Sequence, residues 1–423
     1  MSTTTKAPGT RYGQTGSVGD RPGPGHGIRA AWIMLASGWS ANQFSALLGA
    51  YRSDLDLAES AVTGLFALYV VGLIPGLLVG GPLADRIGRR PVALTALALN
   101  LLSTVLLMLG AGATGWLAPG RFLTGVSAGA LLAAGSAWIK ELASAAAAPP
   151  ATAARRAGLF VSAGFATGGL AAALIARWAP APMVTAYVPH VLLAVGAGLA
   201  ALRAPETREA TASGTARRGS GGVGKRFRRG VLPVTPWVFA APTVGFVTLP
   251  GLVHGGLVYA GVATAVTPGA GLLIQPVARR LAARHRLATA LAGLMTIAAG
   301  LALAAVSAAA EEPAPALAAA AVLGAGYGLV LTFGLTEVTA LAPPHRLARL
   351  TAYFWAAAYT GMLTPYALTL LSDVAAPPTL LAVLAALAVL TCAALPALNS
   401  RAGDGGSVSA AAASAASPRS GAR

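Results

Sequence analysis

Long apolar stretches without Asp, Glu, Lys or Arg recur along the whole chain. A helix that crosses a bilayer needs about 20 predominantly apolar residues, so each such stretch is a candidate membrane span. None shows the period-2 alternation of a membrane barrel, which leaves the helix as the structure that satisfies its backbone in hydrocarbon. The first half contains six candidates: Ala30–Tyr51, Ser60–Ala84, Pro91–Gly120, Phe122–Ile139, Ala157–Ala176 and Trp178–Leu202.

The second half also predicts six spans. Gly230–Ala278 is long enough for two helices with a turn near Pro250–Gly256, and four further stretches follow: Leu287–Ala310, Pro313–Thr336, Leu350–Ser372 and Val374–Ser400. Between the halves, a Ser-, Gly- and Thr-rich stretch precedes a basic cluster, as in a flexible linker. We therefore predict an all-α membrane protein with twelve transmembrane helices in two six-helix bundles. The predicted segments are a cytoplasmic tail (1–28), a bundle (29–203), a linker (204–235), a bundle (236–398) and a disordered cytoplasmic tail (399–423).

Composition excludes a soluble globular protein. Hydrophobic residues make up 56% of the chain, charged residues only 10%, and the mean hydropathy is +0.68, whereas soluble domains carry about 25% charged residues. The net charge of +17 would suit nucleic-acid binding. Its distribution has a simpler cause: with a cytoplasmic N-terminus, 27 of the 30 Lys and Arg residues fall in cytoplasmic segments, as the positive-inside rule requires. We expect a multi-pass protein of a bacterial inner membrane, with both termini cytoplasmic, lipids as partners and no nucleic acid.

The two halves show weak internal similarity. Gly125, Gly129 and Gly135 in the first half correspond to Gly324, Gly328 and Gly334 in the second, at a constant offset of 199 residues. Thr167-Gly168 similarly corresponds to Thr360-Gly361. Repeats of this kind relate the halves of many transporters, so we predict that pseudo-symmetry relates the two bundles.

The loop after the second span carries the most specific motif, Gly81-Pro82-Leu83-Ala84-Asp85-Arg86-Ile87-Gly88-Arg89-Arg90-Pro91. It resembles the signature loop of the major facilitator superfamily, in the location where that family carries it. Gly81 would let two helix ends approach closely, and Gly88 would allow a turn with positive φ. Asp85 can face a helix N-terminus, and Arg86, Arg89 and Arg90 can pair with carboxylates or lipid phosphates. By resemblance, Asp85 and Arg89 should form a conformational gate with Glu141.

Three further elements resemble the same family. Arg121-x-x-x-Gly125 is similar to its R-x-x-x-G element, and Pro205-Glu206-Thr207 resembles the P-E-T ending of its sixth helix. Gly164-x-x-x-Gly168-Gly169 partly resembles the glycine-rich element of the drug efflux branch, without the usual Gly-Pro pair. The resemblance implies a central cavity between two bundles that works by alternating access.

Polar and aromatic residues inside the spans are the candidates for this cavity. Asn42 and Gln43 interrupt the apolar run of the first span, and Tyr327 and Tyr359 lie in the tenth and eleventh. The two amides could equally form hydrogen bonds between helices, because a buried amide in lipid must find a partner. Aromatic residues are also common packing groups and interface anchors.

Arg121 is the one charged residue predicted within a span. A charge at the bilayer centre costs about 2.5–3.5 kcal/mol on insertion scales, which makes an intramembrane arginine a functional candidate. The alternative is that its long side chain reaches the headgroups from near the outer end of the fourth helix. Asp54 and Glu337 stand at span ends, and no carboxylate lies within a span. The sequence is therefore compatible with proton-coupled transport and with facilitated transport.

These features predict a secondary active transporter of a small molecule. The sparsely charged cavity favours efflux of a hydrophobic or amphipathic compound, with nutrient uptake, facilitated diffusion or a non-transporting receptor on the same fold as alternatives. The chain lacks H-E-x-x-H and any paired His/Asp set, so we expect no enzyme activity, no catalytic residues, no metal and no cofactor. We expect a monomer that binds its small-molecule substrate and possible co-transported protons.

The charge distribution yields a test of topology. Reporter fusions placed after Arg203 and after Leu398 should both report a cytoplasmic location, because the basic segments stay inside. Alkaline phosphatase and a fluorescent protein, active on opposite sides of the membrane, provide the paired measurement. A periplasmic signal at either position would contradict the arrangement of six plus six helices.

Overall fold

The computed structural model describes residues 25–147, 150–207, 221–342 and 347–415. Most of the predicted N-terminal tail (1–24), the middle of the predicted linker (208–220) and the last residues of the C-terminal tail (416–423) lie outside these ranges. The described residues form helices joined by short turns, without a β-strand among them.

The first half crosses the presumed membrane six times. Its helices are α1 (His26–Ala46, continued by Leu48–Leu55), α2 (Glu59–Ile87), α3 (Arg89–Leu109), α4 (Thr114–Ala145), α5 (Pro150–Trp178) and α6 (Pro182–Ala201).

The second half repeats this arrangement. Its helices are α7 (Trp237–Leu252), α8 (Gly256–Arg284), α9 (Arg286–Ala310), α10 (Pro313–Leu341), α11 (Leu347–Thr360 and Thr364–Leu371, joined by a short 3-10 turn) and α12 (Pro377–Ala415). Nine helices of the described ranges are long and apolar enough to cross a membrane, and α7 is a shorter apolar helix. The polar residues of α1 lower its hydropathy, and the 3-10 turn divides α11. The prediction of twelve helices in a helical membrane protein is confirmed.

The predicted boundary between the third and fourth spans is wrong. We placed it at Arg121, but α3 already ends at Leu109 and α4 begins at Thr114. A charged residue predicts the end of an apolar span, whereas this arginine is enclosed by neighbouring helices and does not end a helix. Arg121 therefore lies within α4, and the turn is formed by the small residues Gly110–Ala113.

The end of the predicted linker also differs from a flexible segment. Residues Gly221–Val231 are helical, and Phe227, Val231 and Val234 are buried in the core of the second half. These three apolar side chains attach the linker to the bundle that follows it. Helix α12 extends to Ala415, beyond Leu398, the predicted end of the second bundle.

Glycines bring the backbones of α2 and α4 into direct contact. A Cβ atom on Gly72 or Gly76 would meet the backbone of Phe122 or Val126, and a Cβ on Gly125 or Gly129 would meet the α2 backbone. Lipid removes the hydrophobic drive for helix association, so van der Waals packing through small residues has to replace it. The R-x-x-x-G element is thus a helix-packing element in this chain.

The same contacts recur in the second half, as pseudo-symmetry requires. Gly324 and Gly328 of α10 pack against the α8 backbone as Gly125 and Gly129 of α4 pack against α2. Gly168 of α5 touches α1, and Gly361 of α11 touches α7. The repeat seen in the sequence therefore places equivalent glycines between equivalent helices.

The two ends of the molecule differ in charge. The basic end carries the connections after α2, α4, α6, α8 and α10, including Arg89, Arg90 and Arg286. The acidic end carries Asp54, Glu59 and Glu311. The basic end is predicted to be cytoplasmic from its charge.

The two halves pack together near the acidic end. Gly169 of α5 meets Thr264 of α8, and Gly64 of α2 meets the ring of Tyr366 on α11. A shared apolar cluster joins residues of both halves there, among them Tyr69 and Val247. Toward the basic end each half has its own core. The molecule is therefore in a conformation that is closed at the acidic end.

The glycine contacts predict a specific loss of stability. Gly129→Val should destabilise the protein by more than the 1–3 kcal/mol typical of overpacking, because the new side chain meets immovable backbone of α2. The matched control is Gly196→Val on α6, where a Cβ meets nothing within 4 Å. The measurement is the melting temperature in detergent by size-exclusion fluorescence. Equal melting temperatures for the two variants would contradict the packing role.

Candidate functional site

An aromatic cluster lies where α7, α10 and α11 meet. The ring of Phe239 stacks on Tyr359 at a centroid distance of 4.5 Å and lies 6.1 Å from Tyr327 and 6.2 Å from Trp355. Trp355 and Tyr359 are one helical turn apart on α11, with ring centroids separated by 6.1 Å. Aromatic pairs at these distances add about 0.5–1.5 kcal/mol each beyond the area they bury.

The aromatic cluster stands at the junction of the two halves. Phe239 and Trp355 pack both against the core of the second half and against the shared cluster at the acidic end. Both side chains are only half-buried, as is Tyr327, while Tyr359 is buried. The structure thus brings the predicted residues Tyr327 and Tyr359 together and adds Phe239, which the sequence did not single out.

Arg121 lies in the first half, fully enclosed. Its Nε atom donates a hydrogen bond to the carbonyl oxygen of Leu65 at 3.3 Å. The guanidinium carbon lies 4.2 Å from the ring centroid of Phe44 and 5.0 Å from that of Tyr69. Neither Nη1 nor Nη2 has a hydrogen-bond partner among the described residues.

Burial argues against a headgroup role for this arginine. Its side chain is 0% exposed, so it does not reach the membrane surface in this conformation. Cation–π contacts contribute about 2 kcal/mol or more when desolvated, whereas burying an ion costs several kcal/mol. The two rings and one carbonyl oxygen therefore offset only part of the free-energy cost of burying the guanidinium.

Tyr69 connects the arginine to the aromatic cluster. Its ring contacts Arg121 in the first half, and Tyr359 lies in the second half. Both tyrosines belong to the shared apolar cluster. The same cluster contains Tyr51 and Tyr187, whose hydroxyl groups are joined by a hydrogen bond of 2.6 Å.

The two predicted amides have different surroundings. The Nδ2 atom of Asn42 donates to the carbonyl oxygens of Phe165 on α5, at 2.8 Å, and Thr264 on α8, at 3.4 Å. Asn42 thereby joins the two halves through hydrogen bonds to backbone. Gln43 is also fully buried, but neither of its amide atoms has a partner within the described ranges.

The first half contains a buried polar network that the sequence analysis did not predict. Asn100 donates to the hydroxyls of Ser40 at 2.8 Å and Ser127 at 2.9 Å. Thr104 and His190 Nδ1 are joined at 2.8 Å, so four helices contribute to the network. The sequence shows isolated Ser, Thr and Asn residues in apolar spans. Their spacing does not indicate that their side chains meet in the folded protein.

Asp54 and Glu337 lie away from the cavity candidates. Asp54 is exposed at the acidic end, where its carboxylate accepts a hydrogen bond from Ser53. Glu337 lies at the basic end and pairs with Arg286 at 3.3 Å. The described buried residues include Arg121 and no carboxylate.

The signature loop forms a charge cluster at the basic end. Arg89 pairs with Asp85 at 2.6 Å and with Glu141 at 3.0 Å. Gly88 has a φ of +111°, which only glycine adopts readily, whereas Gly81 meets only Ala133 at 3.9 Å. Close approach to α4 is made instead by its neighbour Gly80, which packs on Ala130.

Glu206 completes this cluster. Its carboxylate accepts hydrogen bonds from the backbone N–H groups of Arg89, at 2.9 Å, and Arg90, at 3.0 Å, at the start of α3. A carboxylate at a helix N-terminus satisfies free donors and the positive end of the dipole. Thr207 binds Glu141 at 2.6 Å, and Arg90 binds the carbonyl oxygen of Leu202 at 2.7 Å. The P-E-T element therefore fixes the signature loop, while Arg86 points outward as an exposed residue.

The charge pairs of the two halves are related by the repeat. Arg89 at the start of α3 pairs with Glu141 near the end of α4, and Arg286 at the start of α9 pairs with Glu337 near the end of α10. Each pair joins residues of one half. In this conformation the predicted gate residues Asp85, Arg89 and Glu141 lie within the first half and stabilise its basic end.

Comparison with known proteins agrees with this architecture. The family model described as Major Facilitator Superfamily matches residues 30–365. The multidrug resistance protein MdtL of Escherichia coli is 39% identical over 77 residues, which is 18% of this chain and 19% of that protein. The chain thus matches about a fifth of the length of this curated relative.

Solved structures share the fold at low sequence identity. A POT family transporter in complex with 5-aminolevulinic acid superposes with a TM-score of 0.74 at 11% identity, covering 92% of this chain and 98% of that one. The xylose transporter XylE from E. coli gives a TM-score of 0.67 at 17% identity, covering 86% and 95%. With the family model matching most of its length, the chain belongs to the major facilitator superfamily of membrane transporters.

Proposed function

We propose that this protein is a secondary active transporter that exports a hydrophobic or amphipathic small molecule by alternating access. The observation that carries the proposal is the aromatic cluster of Phe239, Tyr327, Trp355 and Tyr359 at the junction of the two halves. Apolar pockets with a few polar groups bind ligands of this class. The partial similarity to a multidrug resistance protein supports the same direction of transport.

The distribution of contacts supports alternating access. The halves share a core near the acidic end and have separate cores toward the basic end. A transporter needs a second conformation in which this asymmetry is reversed. Rocking of the two halves about the aromatic cluster would expose it to the acidic side. With the predicted cytoplasmic basic end, the described conformation faces the cytoplasm.

Facilitated uptake is the second candidate. The described residues place no carboxylate in the buried interior, and carboxylates commonly carry protons in coupled transporters. His190 is a buried titratable group bound to Thr104, but it lies inside the first half. Solved relatives of the fold include sugar and peptide carriers, so the fold alone does not decide between these functions.

Reconstitution tests the proposal directly. Purified protein in liposomes should move lipophilic dyes from the compartment at its basic end to the compartment at its acidic end. An imposed proton gradient should accelerate this transport. Empty liposomes and a Gly129→Val protein serve as controls. Sugar or amino-acid uptake without dye transport would favour the second candidate, and equal dye fluxes with and without the gradient would indicate a facilitator.

The aromatic cluster predicts a graded loss of transport. Tyr359→Ala should reduce the dye transport rate about tenfold, because it removes the stacking partner of Phe239 from the aromatic cluster. Tyr353→Ala is the matched control, since Tyr353 is 50% exposed on the same helix and outside the cluster. The measurement is the initial rate in vesicles matched for protein amount. Equal losses in both variants would contradict a binding role for the cluster.

The signature loop predicts an effect on rate without an effect on insertion. Asp85→Asn removes one partner of Arg89, and each partly exposed ion pair contributes about 0.2–1 kcal/mol. Such small energies still bias two conformations that differ by a few kcal/mol. We expect a severalfold slower transport at normal membrane abundance. Asp56→Asn, an exposed change at the acidic end, is the control; unchanged kinetics for Asp85→Asn would argue against a gating role.

A further inference from the structure

We propose that Arg121 binds an oxyanion group, a carboxylate or sulfonate, on the amphipathic molecule that the protein transports. The inference rests on the proposed transport function and narrows its substrate class. It starts from a buried guanidinium with two nitrogen atoms, Nη1 and Nη2, that lack partners within the described part of the chain. The other groups around the guanidinium determine which kind of ligand can bind these two nitrogen atoms.

One edge of the planar guanidinium is available to a ligand. Phe44 and Tyr69 contact the cation with their rings, and Leu65 accepts the hydrogen bond from Nε. The remaining donors are those of Nη1 and Nη2, which lie in the plane of the group. Two nitrogen atoms in one plane match the two oxygen atoms of a carboxylate or sulfonate, which is the geometry of a bidentate pair.

The described residues offer this cation no negative charge in the buried interior. The groups that contact the guanidinium are the rings of Phe44 and Tyr69 and the carbonyl oxygen of Leu65, and none of them carries a charge at physiological pH. No carboxylate stands among the described buried residues, and Asp54 is exposed at the acidic end. A buried unpaired charge is costly, and arginine does not become neutral in proteins. The missing negative charge is therefore assigned to a ligand.

The aromatic cluster places the rest of the ligand. Tyr69 contacts Arg121 and packs in the same apolar cluster as Tyr359, and Tyr359 stacks on Phe239. A molecule with an aromatic body and one oxyanion can therefore contact the second half with its rings and the first half with its charge. Because this ligand would contact both halves at once, its binding would depend on the position of one half relative to the other.

The closed acidic end determines when the contact forms. Arg121 is 0% exposed, and its neighbours Phe44 and Tyr69 belong to the cluster that the two halves share. A ligand reaches Nη1 and Nη2 only after this cluster separates. In the proposed export cycle the body of the substrate binds the aromatic cluster from the basic side, its oxyanion pairs with Arg121 as the acidic end opens, and the substrate leaves toward that side before it closes again.

Two fluorescent probes with one aromatic skeleton test the proposal. 1-Anilinonaphthalene-8-sulfonate carries a sulfonate, and N-phenyl-1-naphthylamine is its uncharged counterpart. Binding to purified full-length protein is measured by fluorescence titration in detergent, and transport is measured in liposomes. The variants are Arg121→Met, Arg121→Lys and, as control, Arg177→Met, which changes an exposed arginine at the acidic end.

The wild-type protein and Arg177→Met should bind the sulfonate at least tenfold more tightly than the neutral probe. Arg121→Met should reduce this ratio at least tenfold, and Arg121→Lys should give an intermediate ratio, because an ammonium keeps the charge without the planar pair of donors. The melting temperature of ligand-free Arg121→Met should be equal to or above that of the wild type, since an unpaired buried charge is replaced by an apolar side chain of similar length.

Three results would overturn or separate the proposals. An unchanged sulfonate preference in Arg121→Met contradicts the oxyanion role. Loss of both probes together with a lower melting temperature in both Arg121 variants assigns the arginine a structural role and also overturns it. Arg121-dependent binding of the sulfonate without transport of either probe would contradict the proposed transport function and leave the binding site standing.

Discussion

The architecture depends on direct contact between helix backbones. In lipid, apolar side chains gain nothing by leaving one apolar surface for another, so helices associate where their backbones can approach closely. Gly125 and Gly129 bring α4 onto α2, and Gly324 and Gly328 bring α10 onto α8 in the same way. These contacts fix four helices in two equivalent pairs, and the remaining helices and the site between the halves are positioned by them.

The two halves use this common scaffold differently. The first half encloses a polar network around Asn100 and a cation, Arg121, whereas the second half presents aromatic rings around Phe239. Polar side chains inside a membrane protein are tolerated when they hydrogen-bond to one another, as Asn100 does. Arg121 and Gln43 are among the buried side chains whose donors are unmatched in the described structure. Unmatched buried groups are costly, and such positions concentrate at functional sites.

The two ends are held by interactions of different strength. At the acidic end, Asn42 and the α5–α8 contact at Gly169 join the halves through buried hydrogen bonds and close packing. At the basic end, the ion pairs of Arg89 and Arg286 are partly exposed and lie within single halves. Exposed pairs contribute little each, so they can stabilise local structure while the halves move apart. This division fits a protein in which one end opens while the other remains closed.

The sequence by itself determined the helical class, the number of spans, the repeat and the loop at Gly88, because hydropathy, glycine spacing and turn chemistry are local properties. It did not determine the environment of Arg121: a charged residue ended the predicted span there, although neighbouring helices enclose it. Only the tertiary structure separated Asn42, which joins the halves, from Gln43, which has no partner in the described structure. It also placed Glu206 on the start of α3 and Phe239 on Tyr359. These contacts join residues far apart in the chain, and their geometry follows from the crossing of packed helices.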